Sequence, residues 1–315
     1  MPKQLVLQHG RLSPSVEARL KEEFDIVRSG EQTDSMAVLR QHAGDITAMA
    51  TSARHGVTAE VIATLPRLRA IASFGVGYDN LDVAFARGRD IDVSYTPNVL
   101  NDCVADLAWG AMLDISRGIS EADRFMRRGD WLKGAFRLTN RLSAKRLGIV
   151  GLGRIGRAIA QRASGFTMDV RYHNRGAIPD VPYVHEPDLA ALARWADCLV
   201  VAVAGGSDTR HLVSKRVIEA LGRKGYLINI ARGSAVDEEA LTTALQAKSI
   251  AGAALDVYSV EPCFPEALAK LDNVLLLPHI GTATHETRAA MGELVIDNLK
   301  SFFATGTVLT PVPEA

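Results

Sequence analysis

The sequence predicts an α/β protein built from two doubly wound parallel sheets. Short apolar runs alternate with helical patterns twice along the chain, and such alternation is typical of βαβ units. The chain has 315 residues, and at about 100 to 200 residues per domain this length favours two domains. A content of 47% hydrophobic and 23% charged residues is that of an ordinary globular protein.

The first series of apolar runs predicts the strands of one sheet. They read LVLQ near residue 5, DITAMA near 45, LRAIASF near 68 and IDVSY near 91. A single long helical pattern then extends from Asp102 to about Arg128 and ends at the segment GDW. The change of pattern and the proline at Pro97 predict a domain boundary near residues 97–101.

The second series predicts a further, self-contained sheet. Its runs read RLGIVGLGRIG, MDVRYHN, DCLVVAV, KGYLINI, IAGAALDVY and NVLLLPH. A last helical pattern from about Thr284 to Thr305 follows this sheet, and the sequence leaves its packing partner open.

Charge and cysteine content narrow the function classes. Thirty-six basic residues balance thirty-six acidic ones, so neither nucleic acid nor an anionic membrane is an expected partner. Cys103, Cys198 and Cys263 show no C-x-x-C spacing, which argues against a disulfide framework or a metal site. The start of the chain lacks a leader pattern, and no apolar run of about 18 residues occurs. We therefore expect a cytoplasmic protein.

A glycine motif predicts a dinucleotide site. Gly151, Gly153 and Gly156 form G-L-G-R-I-G between the strand LGIV and the helix RAIAQRA. The first glycine allows a tight turn, the second a close approach to a pyrophosphate, and the third close packing of helix on strand. The motif alone is weak, because it also occurs in flexible turns, but its position between strand and helix favours dinucleotide binding.

The end of the next strand predicts which dinucleotide is preferred. NAD sites commonly carry an acidic residue about twenty positions after the motif, where it bonds the ribose 2′-hydroxyl. Here the strand MDVRYH ends in Asn174 and Arg175, and a guanidinium can bind a 2′-phosphate. We expect NADP(H) to be preferred and NAD(H) to be possible, unless Arg175 is only a solvated surface side chain.

Arg232, Glu261 and His279 are the candidate catalytic residues. They lie in INIARGSAVDEEAL, ALDVYSVEP and LLPHIGTAT, which follow strands at the edge where ligands of open α/β sheets bind. Arginine can grip a carboxylate together with a carbonyl. Histidine can donate a proton near neutral pH, and a neighbouring carboxylate favours its charged form. Taken singly, they could be a helix-entry cation, a surface charge and a core histidine.

Six segments resemble the D-isomer-specific 2-hydroxyacid dehydrogenases, and most closely their glyoxylate/hydroxypyruvate reductase branch. They are SFGVGYDNLD at 73–82, NVLNDCVADLAWG at 98–110, VGLGRIG at 150–156, NIARGSAVDEEAL at 229–241, GAALDVYSVEP at 252–262 and LPHIGTATHETR at 277–288. The resemblance implies a Rossmann dinucleotide-binding domain at 101–286, inserted into a flavodoxin-like substrate-binding domain formed by 1–100 and 287–315. It also implies a homodimer through the long helix, with Trp131 near the partner's substrate pocket; Trp131 could equally be a buried anchor.

The resemblance further implies an NADPH-preferring reductase of glyoxylate and hydroxypyruvate. Arg232 would bind substrate, Glu261 would orient and charge His279, and His279 would be the general acid. The turn at Val76 and Gly77 would receive the substrate carboxylate, and Asp256 would contact the nicotinamide carboxamide. Cofactor contacts are expected from Gly151, Gly153, Arg154, Ile155, Gly156, Asn174, Arg175, Thr209, Ala231, Asp256 and Gly281.

One loop departs from the family pattern. Where a proline-containing loop is common, this chain reads AVAGGSDTRH, which leaves the contacts of 204–209 open. Two alternatives also stay open. The substrate could be a bulkier oxo acid such as hydroxyphenylpyruvate, or the chain could be a nucleotide-sensing relative without activity, against which the intact catalytic trio argues.

Overall fold

The computed structural model describes residues 3–29 and 35–314. These residues form two compact units, one built from the chain up to Leu100 and from Ala283 onward, the other from Asn101–Thr282. The predicted second boundary, between 286 and 287, lies four residues beyond this division.

The first unit contains one parallel sheet with helices between its strands. Its elements up to residue 100 are β1 (Leu5–His9), α1 (Pro14–Glu23), β2 (Asp25–Ser29), α2 (Ser35–Gln41), β3 (Ala48–Ser52), α3 (Ala59–Thr64), β4 (Ala70–Phe74), α4 (Val83–Arg87) and β5 (Asp92–Ser94). The strand order is β2-β1-β3-β4-β5, which is the flavodoxin-like doubly wound order. β3 and β4 are buried along their whole length, as expected for central strands of a parallel sheet.

The second unit contains a seven-stranded parallel sheet. Its elements are α5 (Asn101–Arg117), α6 (Ile119–Arg127), β6 (Arg146–Val150), α7 (Arg154–Arg162), β7 (Asp169–His173), β8 (Val184–His185), α8 (Leu189–Trp195), β9 (Cys198–Val201), α9 (Lys215–Leu221), β10 (Tyr226–Asn229), α10 (Glu238–Gln246), β11 (Gly252–Leu255), α11 (Glu266–Ala269) and β12 (Val274–Leu276). The strand order is β12-β11-β10-β9-β6-β7-β8. The direction of winding reverses between β6 and β9, so a ligand crevice is expected at the end of β6. The predicted fold class is confirmed.

The C-terminal helix α12 (His285–Thr305) returns to the first unit. The Thr284 hydroxyl caps it by accepting a hydrogen bond from the Thr287 amide at 3.3 Å. The helix packs on α1 and β4, and a Cβ on Gly292 would lie 2.5 Å from Val16 Cγ2, so glycine permits the close approach. Among the described residues, even this longest helix lacks the apolar length needed to cross a bilayer.

The prediction of one helix from Asp102 to about Arg128 is wrong. The chain forms α5 and α6, separated by Gly118 in the left-handed region (φ 62°, ψ 40°), and a left-handed glycine commonly ends a helix. The Asp114 carboxylate accepts hydrogen bonds from the amide and the hydroxyl of Ser120, both at 2.6 Å. These bonds fix the start of the second helix.

The sequence patterns did not indicate β2 and β8. Both strands lie at an edge of their sheet, and both are partly exposed. A continuous apolar run marks a strand that is buried on both faces. β2, with the sequence DIVRS, and β8, with only two residues, lack such a run, whereas the edge strands β5 and β12 have one and were predicted.

Candidate active site

The glycine motif forms the tight turn that the sequence predicted. Gly151 has φ +98°, and a Cβ there would lie 2.8 Å from the Ala202 carbonyl oxygen. A Cβ on Gly156 would lie 2.1 Å from the Gly151 carbonyl oxygen. A Cβ on Gly153 would meet no atom within 4 Å. The first and third glycines are therefore required by packing, whereas the second faces open space.

The surroundings of this turn fit a bound pyrophosphate. The Asn174 side-chain oxygen accepts a hydrogen bond from the Leu152 amide at 2.7 Å, which ties the turn to the end of β7. Helix α7 begins at Arg154, directly after Gly153, and glycine has no side chain with which to cap the first amides. The amides and the positive end of the helix dipole are the donors that bind dinucleotide phosphates.

The corner beside β7 carries an exposed ion pair. The Arg175 side chain is 96% exposed and its Nη1 lies 3.9 Å from Oδ2 of Asp208, which is 80% exposed. The sequence did not single out Asp208, although it is the one carboxylate in the unusual loop. In that loop Gly206 has φ +140°, and the Thr209 hydroxyl donates to the Ala204 carbonyl at 2.8 Å.

The candidate catalytic residues follow three neighbouring strands. Arg232 follows β10, Glu261 follows β11 and His279 follows β12, and these strands are adjacent and parallel. Parallel strands lie about 4.8 Å apart, so their carboxyl ends form one continuous edge.

Glu261 and His279 form a direct pair. His279 Nδ1 lies 2.6 Å from Glu261 Oε2, and their side chains are 43% and 20% exposed. The other oxygen, Oε1, accepts a hydrogen bond from the Tyr258 amide at 2.9 Å. The carboxylate is thus oriented by the backbone toward Nδ1, and Nε2 is the ring nitrogen left for a substrate.

The backbone of His279 is held in an uncommon conformation. Its φ is +54°, a left-handed value that non-glycine residues seldom adopt. The Asp256 carboxylate accepts hydrogen bonds from the next two amides, Ile280 at 2.7 Å and Gly281 at 2.8 Å. Burial raises the pKa of Asp256, although these amide bonds oppose the rise. Its predicted contact with the nicotinamide carboxamide remains a prediction.

A buried asparagine shapes the segment that carries Arg232. The Asn229 amide nitrogen donates to the Arg232 carbonyl at 2.9 Å, and its side-chain oxygen accepts from the Ala231 amide at 3.1 Å. Arg232 Nη1 donates to the Ala231 carbonyl at 2.8 Å. Asn229 was not among the predicted site residues, although a polar residue closing an apolar strand was its signal in the sequence.

The other residues predicted to contact substrate are Val76, Gly77 and Trp131, and none of them lies at the carboxyl ends of β10, β11 or β12. Val76 and Gly77 follow β4 in the first unit, after Gly75, whose φ is +138° and whose amide donates to the Thr96 hydroxyl at 3.0 Å. Their substrate role remains a prediction. Trp131 is 65% exposed, so it is not a buried anchor within this chain.

Comparison with known proteins shows which family the chain is similar to. Residues 109–281 match the model described as D-isomer specific 2-hydroxyacid dehydrogenase, NAD binding domain. The chain is 44% identical over 307 residues to glyoxylate/hydroxypyruvate reductase A of Arabidopsis thaliana, and 42% identical over 307 residues to hydroxyphenylpyruvate reductase of Plectranthus scutellarioides, with 98% of each chain covered in both cases. The solved structure of an NADPH-dependent glyoxylate/hydroxypyruvate reductase from Sinorhizobium meliloti, in complex with NADP and malonate, is similar with a TM-score of 0.93 and 42% identity, over 98% of this chain and 97% of that one.

Proposed function

The chain belongs to the D-isomer specific 2-hydroxyacid dehydrogenase family, and from this premise we propose that it is an NADPH-preferring reductase of small 2-oxo acids, with glyoxylate and hydroxypyruvate as its substrates. The observation that carries the proposal is the Glu261–His279 pair at 2.6 Å, at the same sheet edge as Arg232. The products are the corresponding 2-hydroxy acids, of D configuration where the carbon is chiral.

His279 is the proton donor in this proposal. When bound, NADPH supplies the hydride. The protonated imidazole donates from Nε2 to the carbonyl oxygen of the substrate, while Nδ1–H stays bonded to the Glu261 carboxylate. Because Glu261 accepts from Nδ1, the neutral ring that remains keeps its proton there. The same residue can then act as the base when a hydroxy acid is oxidised.

Arg232 holds the substrate carboxylate and carbonyl in this proposal. A planar guanidinium presents two parallel N–H donors, which fixes the orientation of the oxo acid. The backbone of Asn229–Arg232 is held by the Asn229 side chain, and a fixed segment loses less freedom on binding. We assign the second carboxylate contact to the backbone at Val76 and Gly77.

The preference for NADPH is supported by the end of β7. Neither Asn174 nor Arg175 carries a negative charge that would repel a 2′-phosphate, and the exposed guanidinium can make charge-assisted bonds with it. The remaining cofactor contacts proposed here are those of the glycine turn and of Thr209, Ala231, Asp256 and Gly281. The Sinorhizobium meliloti relative, crystallised with NADP, supports the same preference.

A second candidate substrate is hydroxyphenylpyruvate. The 42% identity to the Plectranthus scutellarioides enzyme favours it. Hydroxyphenylpyruvate also has the 2-oxo acid group, shared with glyoxylate and hydroxypyruvate, that Arg232 and His279 would bind. The three oxo acids differ in the rest of the molecule, for which no contact with Arg232 or His279 is proposed.

The decay of NADPH absorbance with a panel of oxo acids tests this function. We expect the highest kcat/KM with glyoxylate or hydroxypyruvate, a lower value with hydroxyphenylpyruvate, and a lower value with NADH than with NADPH. Absence of turnover with every oxo acid would contradict the enzymatic assignment. A clear NADH preference would contradict only the coenzyme assignment.

We further propose that the protein is a cytoplasmic homodimer. Large apolar side chains are exposed between residues 119 and 138, and they are Ile119, Met126, Trp131, Leu132 and Leu138. Leu132 and Leu138 are 95% and 97% exposed, and this concentration of exposed apolar side chains in one stretch of the chain supports an interface there. Sedimentation equilibrium tests the dimer, and a monomer at micromolar concentration would contradict it. The odd number of cysteines without paired spacing supports a reducing compartment.

A further inference from the structure

Tyr258 touches all three segments that carry the catalytic trio. It lies three residues after the end of β11 and is partly buried. Its amide contacts Glu261, its hydroxyl contacts Leu277 just before His279, and its carbonyl carbon lies against the residue after Arg232. Each contact acts on a different part of the site.

The amide of Tyr258 orients Glu261. It donates to Oε1 at 2.9 Å, and the opposite oxygen, Oε2, faces His279 Nδ1 at 2.6 Å. A carboxylate held on one oxygen by a backbone donor keeps its second oxygen in a defined direction. The direction of the imidazole therefore depends on where the Tyr258 backbone lies.

The hydroxyl of Tyr258 fixes the chain just before His279. It donates to the Leu277 carbonyl at 3.0 Å, and the Leu277 amide donates to the Leu255 carbonyl at 2.8 Å. Asp256 holds the two amides on the other side of His279. Left-handed backbone persists at a non-glycine residue only where the surroundings enforce it, and here bonds on both sides enforce it at His279.

The backbone of Tyr258 also packs against the Arg232 segment. A Cβ on Gly233 would lie 1.8 Å from the Tyr258 carbonyl carbon, so the two backbones are as close as glycine permits. The amide of the next residue, Ser259, donates to Glu238 Oε2 at 2.9 Å at the start of α10. The position of Tyr258 is thereby fixed from the Arg232 side of the site.

The hydroxyl stays a donor over the whole range in which the enzyme can be assayed. Burial raises the pKa of Tyr258 to about 12, so the group is protonated well above neutral pH. Its bond to the Leu277 carbonyl does not change with pH in that range.

We propose that Tyr258 is a positioning residue for the reduction, which holds Glu261 and His279 in the geometry needed for proton donation. This role rests on the proposed function. It assigns to a side chain outside the trio the task of keeping the imidazole aligned with the substrate carbonyl.

Tyr258→Phe removes only the hydroxyl, with its bond to the Leu277 carbonyl at 3.0 Å and its longer contact with the Leu255 carbonyl at 3.4 Å, and tests this role. We expect kcat for glyoxylate to fall on the order of tenfold, because small misplacements of a catalytic group are costly, while NADPH binding stays within about twofold. Tyr226→Phe is the matched control, because the Tyr226 hydroxyl also has a hydrogen-bond partner, Asn140 at 2.9 Å, at the opposite end of its strand. Thermal unfolding of both variants shows whether the fold is equally stable.

Combination with Glu261→Gln separates positioning from a general loss of stability. If Tyr258 acts through the Glu261–His279 pair, its effect on kcat shrinks to less than about twofold in the Glu261→Gln background, because the two residues act as a unit. Multiplicative effects would overturn the proposal, as would equal kcat values for Tyr258→Phe and Tyr226→Phe. Both outcomes require a wild type that reduces oxo acids, so failure of the proposed function is recognised separately.

Discussion

The two ends of the proposed dinucleotide site differ in how firmly their functional residues are held. At the carboxyl ends of β11 and β12, the Glu261–His279 pair is supported by the Tyr258 amide. At the end of β7, Arg175 and Asp208 are 96% and 80% exposed and 3.9 Å apart. Proton donation is thus proposed for a pair held by the backbone, whereas the proposed 2′-phosphate contact belongs to Arg175, a solvated side chain with a solvated carboxylate beside it.

This difference sets the size of the expected mutational effects. Positioned acid–base groups contribute about 10²- to 10⁴-fold to rate. Exposed ion pairs contribute about 0 to 1 kcal/mol, because solvent screens them and side-chain entropy opposes them. Substitutions in the Glu261–His279 pair should therefore change kcat strongly. Substitutions of Arg175 or Asp208 should change coenzyme affinity modestly.

Glu261→Gln should have the largest effect of the three changes that probe this comparison. The amide keeps the shape of the side chain but removes the charge beside His279, and we expect kcat to fall roughly 10²-fold with NADPH affinity retained. Steady-state kinetics with glyoxylate measure the effect. Glu266→Gln is the control, because Glu266 lies exposed at the start of α11 and pairs with Lys270, which follows that helix. An unchanged kcat for Glu261→Gln would show that the Glu261 charge does not support proton donation by His279.

Arg175→Ala should have an intermediate effect, limited to the phosphorylated coenzyme. Loss of a charge-assisted hydrogen bond costs about 1.5 to 3 kcal/mol, and exposure reduces this, so KM for NADPH should rise about tenfold. KM for NADH should change little. Arg216→Ala is the control, since Arg216 is 76% exposed beside Asp188. Equal effects on both coenzymes would contradict the phosphate contact.

Asp208→Asn should have the smallest effect and the opposite sign. Its carboxylate competes with a 2′-phosphate for Arg175, so its removal should lower KM for NADPH by up to about fivefold, which corresponds to roughly 1 kcal/mol. The effect should fade at high salt, because exposed charges are screened. Asp123→Asn, in an exposed pair with Arg127, is the control. A weaker affinity for NADPH would show that Asp208 holds Arg175 in place for the coenzyme instead of competing for it.

The sequence predicted the parts of the fold that have a local signal. Fully buried strands, the glycine turn and the extent of α12 depend on residues close together in the chain. The break at Gly118 was missed because the sequence does not show that this glycine adopts a left-handed conformation. The edge strand β8 was missed because it has only two residues and no apolar run. The same distinction applies to the sites.

Arg232, Glu261 and His279 could be named as candidate catalytic residues because they are chemically active types at strand ends. Tyr258 could not be predicted as their support, since its bond to the Leu277 carbonyl joins residues 19 positions apart. The proximity of Asp208 to Arg175 likewise depends on how two loops meet. Residue type indicates which side chains can do chemistry, but only the folded chain shows which other groups hold those side chains in place.

The most direct test of His279 as the proton donor is the His279→Ala variant, measured in parallel for NADPH binding by fluorescence titration and for glyoxylate reduction. His285→Ala, an exposed histidine at the start of α12, is the control. We predict that His279→Ala binds NADPH within about twofold of wild type and loses about 10²- to 10⁴-fold in kcat. Retained turnover, or loss of turnover only through lost NADPH binding, would contradict the role of His279.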